Sequence, residues 1–142
     1  MTTNSTVRQP TAPTADVWSS EPERQYAACQ ADLAAHYDLA VDSRTVETDS
    51  AGRVHYLVAG DPAGEPVVLL HGVSTTAATW LPLVGSLTDR YRVYIPDRPG
   101  RGLSTPVSYR GRYLRSFLVD YLVDFCAAEA LDRPHVVGNS LG

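Results

Sequence analysis

The residues best suited to chemistry stand at the end of the sequence: Gly138-Asn139-Ser140-Leu141-Gly142, entered from His135-Val136-Val137. A Gly-x-Ser-x-Gly pattern that follows a β-branched apolar run has the form of a nucleophile elbow, a sharp turn from strand to helix that presents a serine hydroxyl. Gly138 and Gly142 suit such a turn, because backbone on either side of it passes too close to tolerate a side chain. A serine so placed attacks a carbonyl carbon, and backbone N–H groups beside it stabilise the oxyanion that forms. Chance produces about 0.05 such patterns in a chain of this composition. The reading therefore depends on the elements that lead to it.

Two earlier apolar runs also end in distinctive loops. Val67-Val68-Leu69-Leu70 is continuously apolar, as a strand buried on both faces of a largely parallel sheet must be, and it runs into His71-Gly72-Val73-Ser74. Arg92-Val93-Tyr94-Ile95 reads as another short strand and delivers the loop Asp97-Arg98-Pro99-Gly100-Arg101-Gly102-Leu103-Ser104. In an open α/β sheet ligands bind outside the carboxyl ends of the strands, so the three loops are expected to meet at one crevice.

The connecting segments carry helical patterns. Trp80, Leu83, Val84 and Leu87 predict one helix face, with Pro82 in the first turn. Leu114, Phe117, Leu118, Tyr121, Leu122, Phe125, Ala128 and Leu131 predict a longer amphipathic helix that starts near 111–113 and stops at Asp132-Arg133-Pro134. Upstream, Thr45–Thr48 and Arg53–Val58 flank the turn Asp49-Ser50-Ala51-Gly52 and predict an antiparallel hairpin, in which His55 is expected to face solvent. The capping-box sequence Ser20-Glu21-Pro22-Glu23 opens a leading helix over residues 20–38, with Tyr26, Cys29, Leu33 and Tyr37 as its apolar stripe and His36 as an ordinary half-buried histidine beside it. Residues 1–19, rich in Thr, Ser, Pro and Ala, are expected to form a disordered tail. That leaves 20–142 as one incomplete α/β domain whose sheet core occupies 44–142.

Composition removes several classes of function. A net charge of −4 leaves no basic face for nucleic acid. All 12 basic residues are arginine, which excludes lysine-dependent P-loop and Schiff-base chemistry. Cys29 and Cys126 match no metal or redox spacing and are expected to be reduced and mostly buried. Gly100-Arg101-Gly102 is not a dinucleotide loop, because Thr105 stands where a third glycine is needed. No apolar stretch is long enough to span a bilayer, and the first 20 residues lack the hydrophobic region of a secretory signal. The expectation is a cytoplasmic protein with no cofactor, metal, nucleic-acid or membrane partner.

Three motifs in this order, His71-Gly72 after the third strand, Asp97-x-Pro99-Gly100-x-Gly102-x-Ser104 after the fourth and Gly138-x-Ser140-x-Gly142 after the fifth, give the chain a clear likeness. From about Arg44 to Gly142 it resembles the N-terminal part of the α/β-hydrolase fold family, in its serine hydrolase branch. The resemblance implies Ser140 as nucleophile and the backbone N–H groups of Leu141 and Val73 as the oxyanion hole. It implies supporting roles for His71, Gly72, Asp97, Gly100, Gly102, Ser104, Gly138 and Gly142. Serine at the elbow, rather than aspartate, speaks against the dehalogenase and epoxide-hydrolase branches. The implied substrate is a small ester-like molecule; Asn139 beside the serine is similar to the branch that cleaves carbon–carbon bonds in ring-fission products. In the family the triad acid and then the histidine follow the serine, whereas His36, His55, His71 and His135 all precede Ser140. The 142 residues alone are therefore expected to be truncated before both and inactive. Two other readings fit the same fold: a non-catalytic ligand-binding protein and a truncated product without function.

Overall fold

The computed structural model describes residues 18–142. The tail expected over 1–19 lies outside the described residues apart from Trp18 and Ser19, and Trp18 is already buried. Helix α1 spans Glu21–His36 and opens on the expected box: Ser20 Oγ accepts from the Glu23 N–H, and the Glu23 carboxylate accepts from the Ser20 N–H at 3.1 Å.

The buried face of α1 is not the predicted stripe. Gln30 and Ala34 are buried, while Cys29, Leu33 and Tyr37 are exposed. Ala34 belongs to the cluster around Leu57 and Val93. Where a helix backbone comes close to a sheet rim, a small residue packs and a large one is pushed outward. Cys126 is half-buried, so neither thiol is enclosed as expected.

Five strands follow: β1 (Val41–Thr48), β2 (Gly52–Ala59), β3 (Glu65–Leu70), β4 (Tyr91–Pro96) and β5 (His135–Gly138), arranged β1-β2-β4-β3-β5. β1 and β2 form the antiparallel hairpin, β2 also runs antiparallel to β4, and β3 is parallel to both β4 and β5. β1 starts at Val41, earlier than Arg44, because its ladder continues to the pair Val41–Ala59. Backbone pairing there carries Asp42 and Ser43, whose polar side chains gave no strand signal.

Side-chain alternation divides the core into two layers. Leu57, Ala59, Val67, Leu69, Val93 and Ile95 point to one face, where Ala77, Leu81 and Val84 cover them. Tyr56, Val58 and Val68 point to the other and meet Phe117, Tyr121 and Phe125 of α3 (Leu114–Ala128), which recur every fourth residue. Burial on both faces explains the unbroken apolar run of β3.

The crossover from β3 to β4 is shorter than predicted. Ala77–Trp80 form a 3-10 turn, and α2 covers only Leu81–Val84, with Pro82 in its first turn. Three residues per turn shift the phase, so Ala77, Leu81 and Val84 are buried and Leu83 is exposed. No described helix is long and apolar enough to cross a membrane.

Candidate active site

β3, β4 and β5 deliver their carboxyl-end loops to one edge of the sheet. β5 is aligned on β3 from Val67–His135 to Leu70–Gly138, and the Asn139 N–H donates to the Leu70 carbonyl at 3.0 Å. The chain then turns sharply. Ser140 adopts φ 58°, the left-handed region that a non-glycine residue enters only under strain, and the Gly142 N–H closes the turn on the Asn139 carbonyl at 2.9 Å. A Cβ on Gly138 would collide with the Gly142 carbonyl, and one on Gly142 with the Leu70 carbonyl. The two glycines of the motif are thus required by close approach of backbone, and Ser140 is left exposed.

The loop after β3 lies against the elbow: a Cβ built on Gly72 would stand 3.4 Å from Ser140 Cβ. The Gly72 carbonyl accepts from His71 Nδ1–H at 2.9 Å and from Thr75 Oγ1–H at 3.2 Å. Among the described residues neither the Val73 nor the Leu141 N–H donates to an acceptor. Tyr26 of α1 reaches the same loop and bonds Thr76 Oγ1 at 2.6 Å.

His71 is buried, and its Nε2 accepts from the Arg98 N–H at 2.9 Å. Burial holds its imidazole below the usual histidine value, outweighing the hydrogen bond to Gly72. With both ring nitrogens occupied and the neutral form favoured, His71 joins the β3 and β4 loops and has no lone pair left for Ser140.

Asp97 is the centre of the β4 loop and is fully buried. Its carboxylate accepts from the Ala77 N–H at 2.8 Å, the Leu103 N–H at 3.1 Å and His55 Nδ1–H at 2.7 Å. Its backbone carbonyl accepts from Ser104 Oγ–H at 2.8 Å, and Ser104 Oγ in turn accepts from the His55 N–H at 2.9 Å. Gly102, at φ 50°, has its missing side chain replaced by the Asp97 carboxylate. Gly100, also at positive φ, donates to the Thr105 carbonyl at 2.9 Å. One carboxylate therefore joins the start of the β3–β4 crossover to the β4 loop.

His55 corrects the sequence expectation. It is fully buried rather than facing solvent, and besides Asp97 it pairs with Ser43 Oγ through Nε2 at 2.8 Å. The Trp18 ring lies edge-on to it at 5.5 Å between centroids, with the Arg53 guanidinium on that indole. The buried face of β2 continues through this position, and two polar partners satisfy the imidazole there. Ser43–His55–Asp97 has the hydrogen-bond order of a catalytic triad. A base must pass its proton to a departing group, and an imidazole with no exposed surface has no route to one.

The remaining histidines are remote. His135 pairs with Glu65 at 3.3 Å at the amino ends of β5 and β3, opposite the elbow, and His36 ends α1 beside Tyr37. One residue that sequence reasoning passed over is Arg98, which is only 5% exposed. Nothing in the spacing of the loop signals that burial.

The profile of the alpha/beta hydrolase family matches residues 67–142, just over half of the chain. The (E)-2-((N-methylformamido)methylene)succinate hydrolase of Acinetobacter baylyi is 32% identical over 100 residues, which cover 70% of this chain and 36% of that protein. Pimeloyl-[acyl-carrier protein] methyl ester esterase of Aeromonas hydrophila is 35% identical over 79 residues, or 56% of this chain and 29% of its own. Among solved structures, naproxen esterase from Bacillus subtilis superposes with a TM-score of 0.73 at 24% identity, over 94% of this chain and 44% of that one. The chain thus spans about a third of the length of the curated relatives it matches. The matched stretch runs from β3 through the elbow and contains all three crevice loops, and the chain belongs to the alpha/beta hydrolase family.

Proposed function

We propose that this chain carries the nucleophile and oxyanion hole of a serine hydrolase that cleaves small ester- or amide-like substrates. Ser140 Oγ attacks the scissile carbonyl, and the N–H groups of Val73 and Leu141 stabilise the oxyanion. The observation that carries this reading is the strained, exposed Ser140 packed against Gly72. A residue in the left-handed region costs on the order of 1–3 kcal/mol, and a pocket that only held a ligand would have no use for that strain. The relatives named above are a hydrolase and an esterase, which favours acyl transfer to water over carbon–carbon cleavage.

No histidine among the described residues can serve Ser140, since His55 and His71 are enclosed and His135 lies at the far end of its strand. The base and its acid are to be supplied by sequence beyond Gly142, in the family order of serine, acid, histidine. The test is hydrolysis of a nitrophenyl ester. A polypeptide continuing past Gly142 with those two residues is expected to turn over, and Ser140→Ala to lower its rate by about 10³-fold or more. Residues 1–142 alone are expected to give no burst of nitrophenol. An undiminished rate in Ser140→Ala would overturn the assignment.

A further inference from the structure

The loop after β3 is fastened to the interior at its two ends. His71 Nε2 accepts from the Arg98 N–H, and the Ala77 N–H donates to the Asp97 carboxylate. Between these points lie Val73, whose N–H is one of the two proposed oxyanion donors, and Ser74, Thr75 and Thr76. Among the described residues, one side chain from outside the β3 and β4 loops bonds that stretch. Tyr26 of α1 donates its hydroxyl to Thr76 Oγ1 at 2.6 Å, across 50 residues of sequence. Burial pushes the Tyr26 ionisation up, so the phenol keeps its proton and remains a donor.

α1 is itself tied down close to that contact. Arg53 of β2 reaches Glu23 Oε1 and the Leu103 carbonyl of the β4 loop, both at 3.4 Å, and its guanidinium lies over the Trp18 indole. The buried Trp18 stands edge-on to His55, and its carbonyl accepts from Arg24 Nη1 at 3.1 Å. Tyr26, Gln30 and Ala34 recur every fourth residue, so half-buried Tyr26 continues the buried face of the helix. The first turns of α1 thus reach the β4 loop through Glu23 and Arg53, and the β3 loop through Tyr26. One neutral hydrogen bond between half-buried groups adds little to global stability. The same bond fixes where the loop rests, and catalysis is far more sensitive to placement than stability is.

We propose that Tyr26 is a positioning residue of the reaction assigned to Ser140: acting through Thr76, it holds the β3 loop so that the Val73 N–H is aligned on the developing oxyanion. The Gly72 carbonyl's bonds to His71 and Thr75 lie within the loop and move with it, so they do not supply an external reference. α1, which precedes the sheet in the chain, is thereby part of the site. This inference rests on the proposed roles of Ser140 and Val73.

The test is steady-state hydrolysis of a nitrophenyl ester by the polypeptide that continues past Gly142. Tyr26→Phe removes only the hydroxyl and is expected to lower kcat about tenfold with KM unchanged, because the oxyanion contact is made in the transition state. Thr76→Val, which cuts the bond from the other side, is expected to give the same loss, and the double variant no more than either alone. Thr76→Ser keeps the acceptor oxygen and is expected to retain most of the parent's kcat. The urea midpoint of Tyr26→Phe is expected to stay close to the parent's. An unchanged kcat in Tyr26→Phe, a loss carried by KM alone, or additive losses in the double variant would overturn the positioning role and mark the bond as structural only. Those results leave the effect of Ser140→Ala intact. An undiminished rate in Ser140→Ala instead removes the serine mechanism and this inference with it, so the two failures leave different records.

Discussion

Ser43 stands in a complete Ser–His–Asp hydrogen-bond chain, and Ser140 has neither histidine nor aspartate beside it among the described residues. Connectivity alone would choose Ser43. Access and backbone geometry favour the proposed nucleophile Ser140: it is exposed, held at φ 58° and in contact with the β3 loop, whereas His55 is sealed beneath Trp18. The same three residue types can therefore build a fastening or a reaction centre. What separates them is whether the imidazole can exchange protons with a substrate and whether free N–H groups face the attacked carbonyl.

The largest effect expected from this contrast is on stability. Asp97→Ala leaves the Ala77 and Leu103 N–H groups and His55 Nδ1 without an acceptor in a fully buried site. Urea unfolding is expected to show a loss of about 3–5 kcal/mol. A loss below about 1 kcal/mol would mean that water replaces the carboxylate and that the fastening is not what orders the crevice.

Ser140→Gly is expected to act in the opposite direction. It removes the left-handed strain and should raise stability by about 1 kcal/mol while removing the proposed nucleophile. A destabilised Ser140→Gly variant would show that the hydroxyl, and not the backbone, holds the elbow.

A smaller effect follows from His71. Burial keeps its folded-state ionisation below that of the unfolded chain, so well above about pH 6.5, where both states are neutral, its titration adds no pH dependence to stability. As pH falls through that value the unfolded chain takes up a proton that folded His71 refuses, and stability declines until the folded value is reached. His71→Asn is expected to flatten this slope in acid denaturation relative to the parent. A parent whose stability rises on acidification would contradict the neutral, doubly bonded imidazole.

Much of this was legible in the residues themselves. The unbroken apolar run of β3 reported burial on both faces, the order of the three loops reported the crevice, and Gly138 and Gly142 reported the close approach of backbone at the elbow. The failures have physical causes. His55 interrupts a β2 segment that is otherwise apolar from Val54 to Ala59, the same signature of two-faced burial that β3 carries. Its partners, Ser43 and Asp97, come from other strands. The α1 stripe failed because close packing rewarded Ala34 over larger neighbours, and the α2 face because a 3-10 turn changed the period. Arg98 was invisible because burial of a charged side chain depends on the tertiary enclosure around it.

The smallest expected effect lies at β5, the least enclosed strand. All four of its residues are exposed, and within the described residues it has a strand on one side only. Val136 is paired in register with Val68, which is fully buried in the α3 layer. A hydroxyl placed at the two positions therefore compares a finished layer with an open one. Val68→Thr puts an unpaired hydroxyl in the core and is expected to cost about 1–3 kcal/mol. Val136→Thr is expected to stay within about 0.5 kcal/mol in residues 1–142 and to slow aggregation, because an exposed apolar edge strand recruits other chains. If Val136→Thr costs as much as Val68→Thr, β5 is covered in solution by a surface it does not meet within these residues. Ser140 then lies inside a more enclosed crevice than the exposed elbow described for these residues.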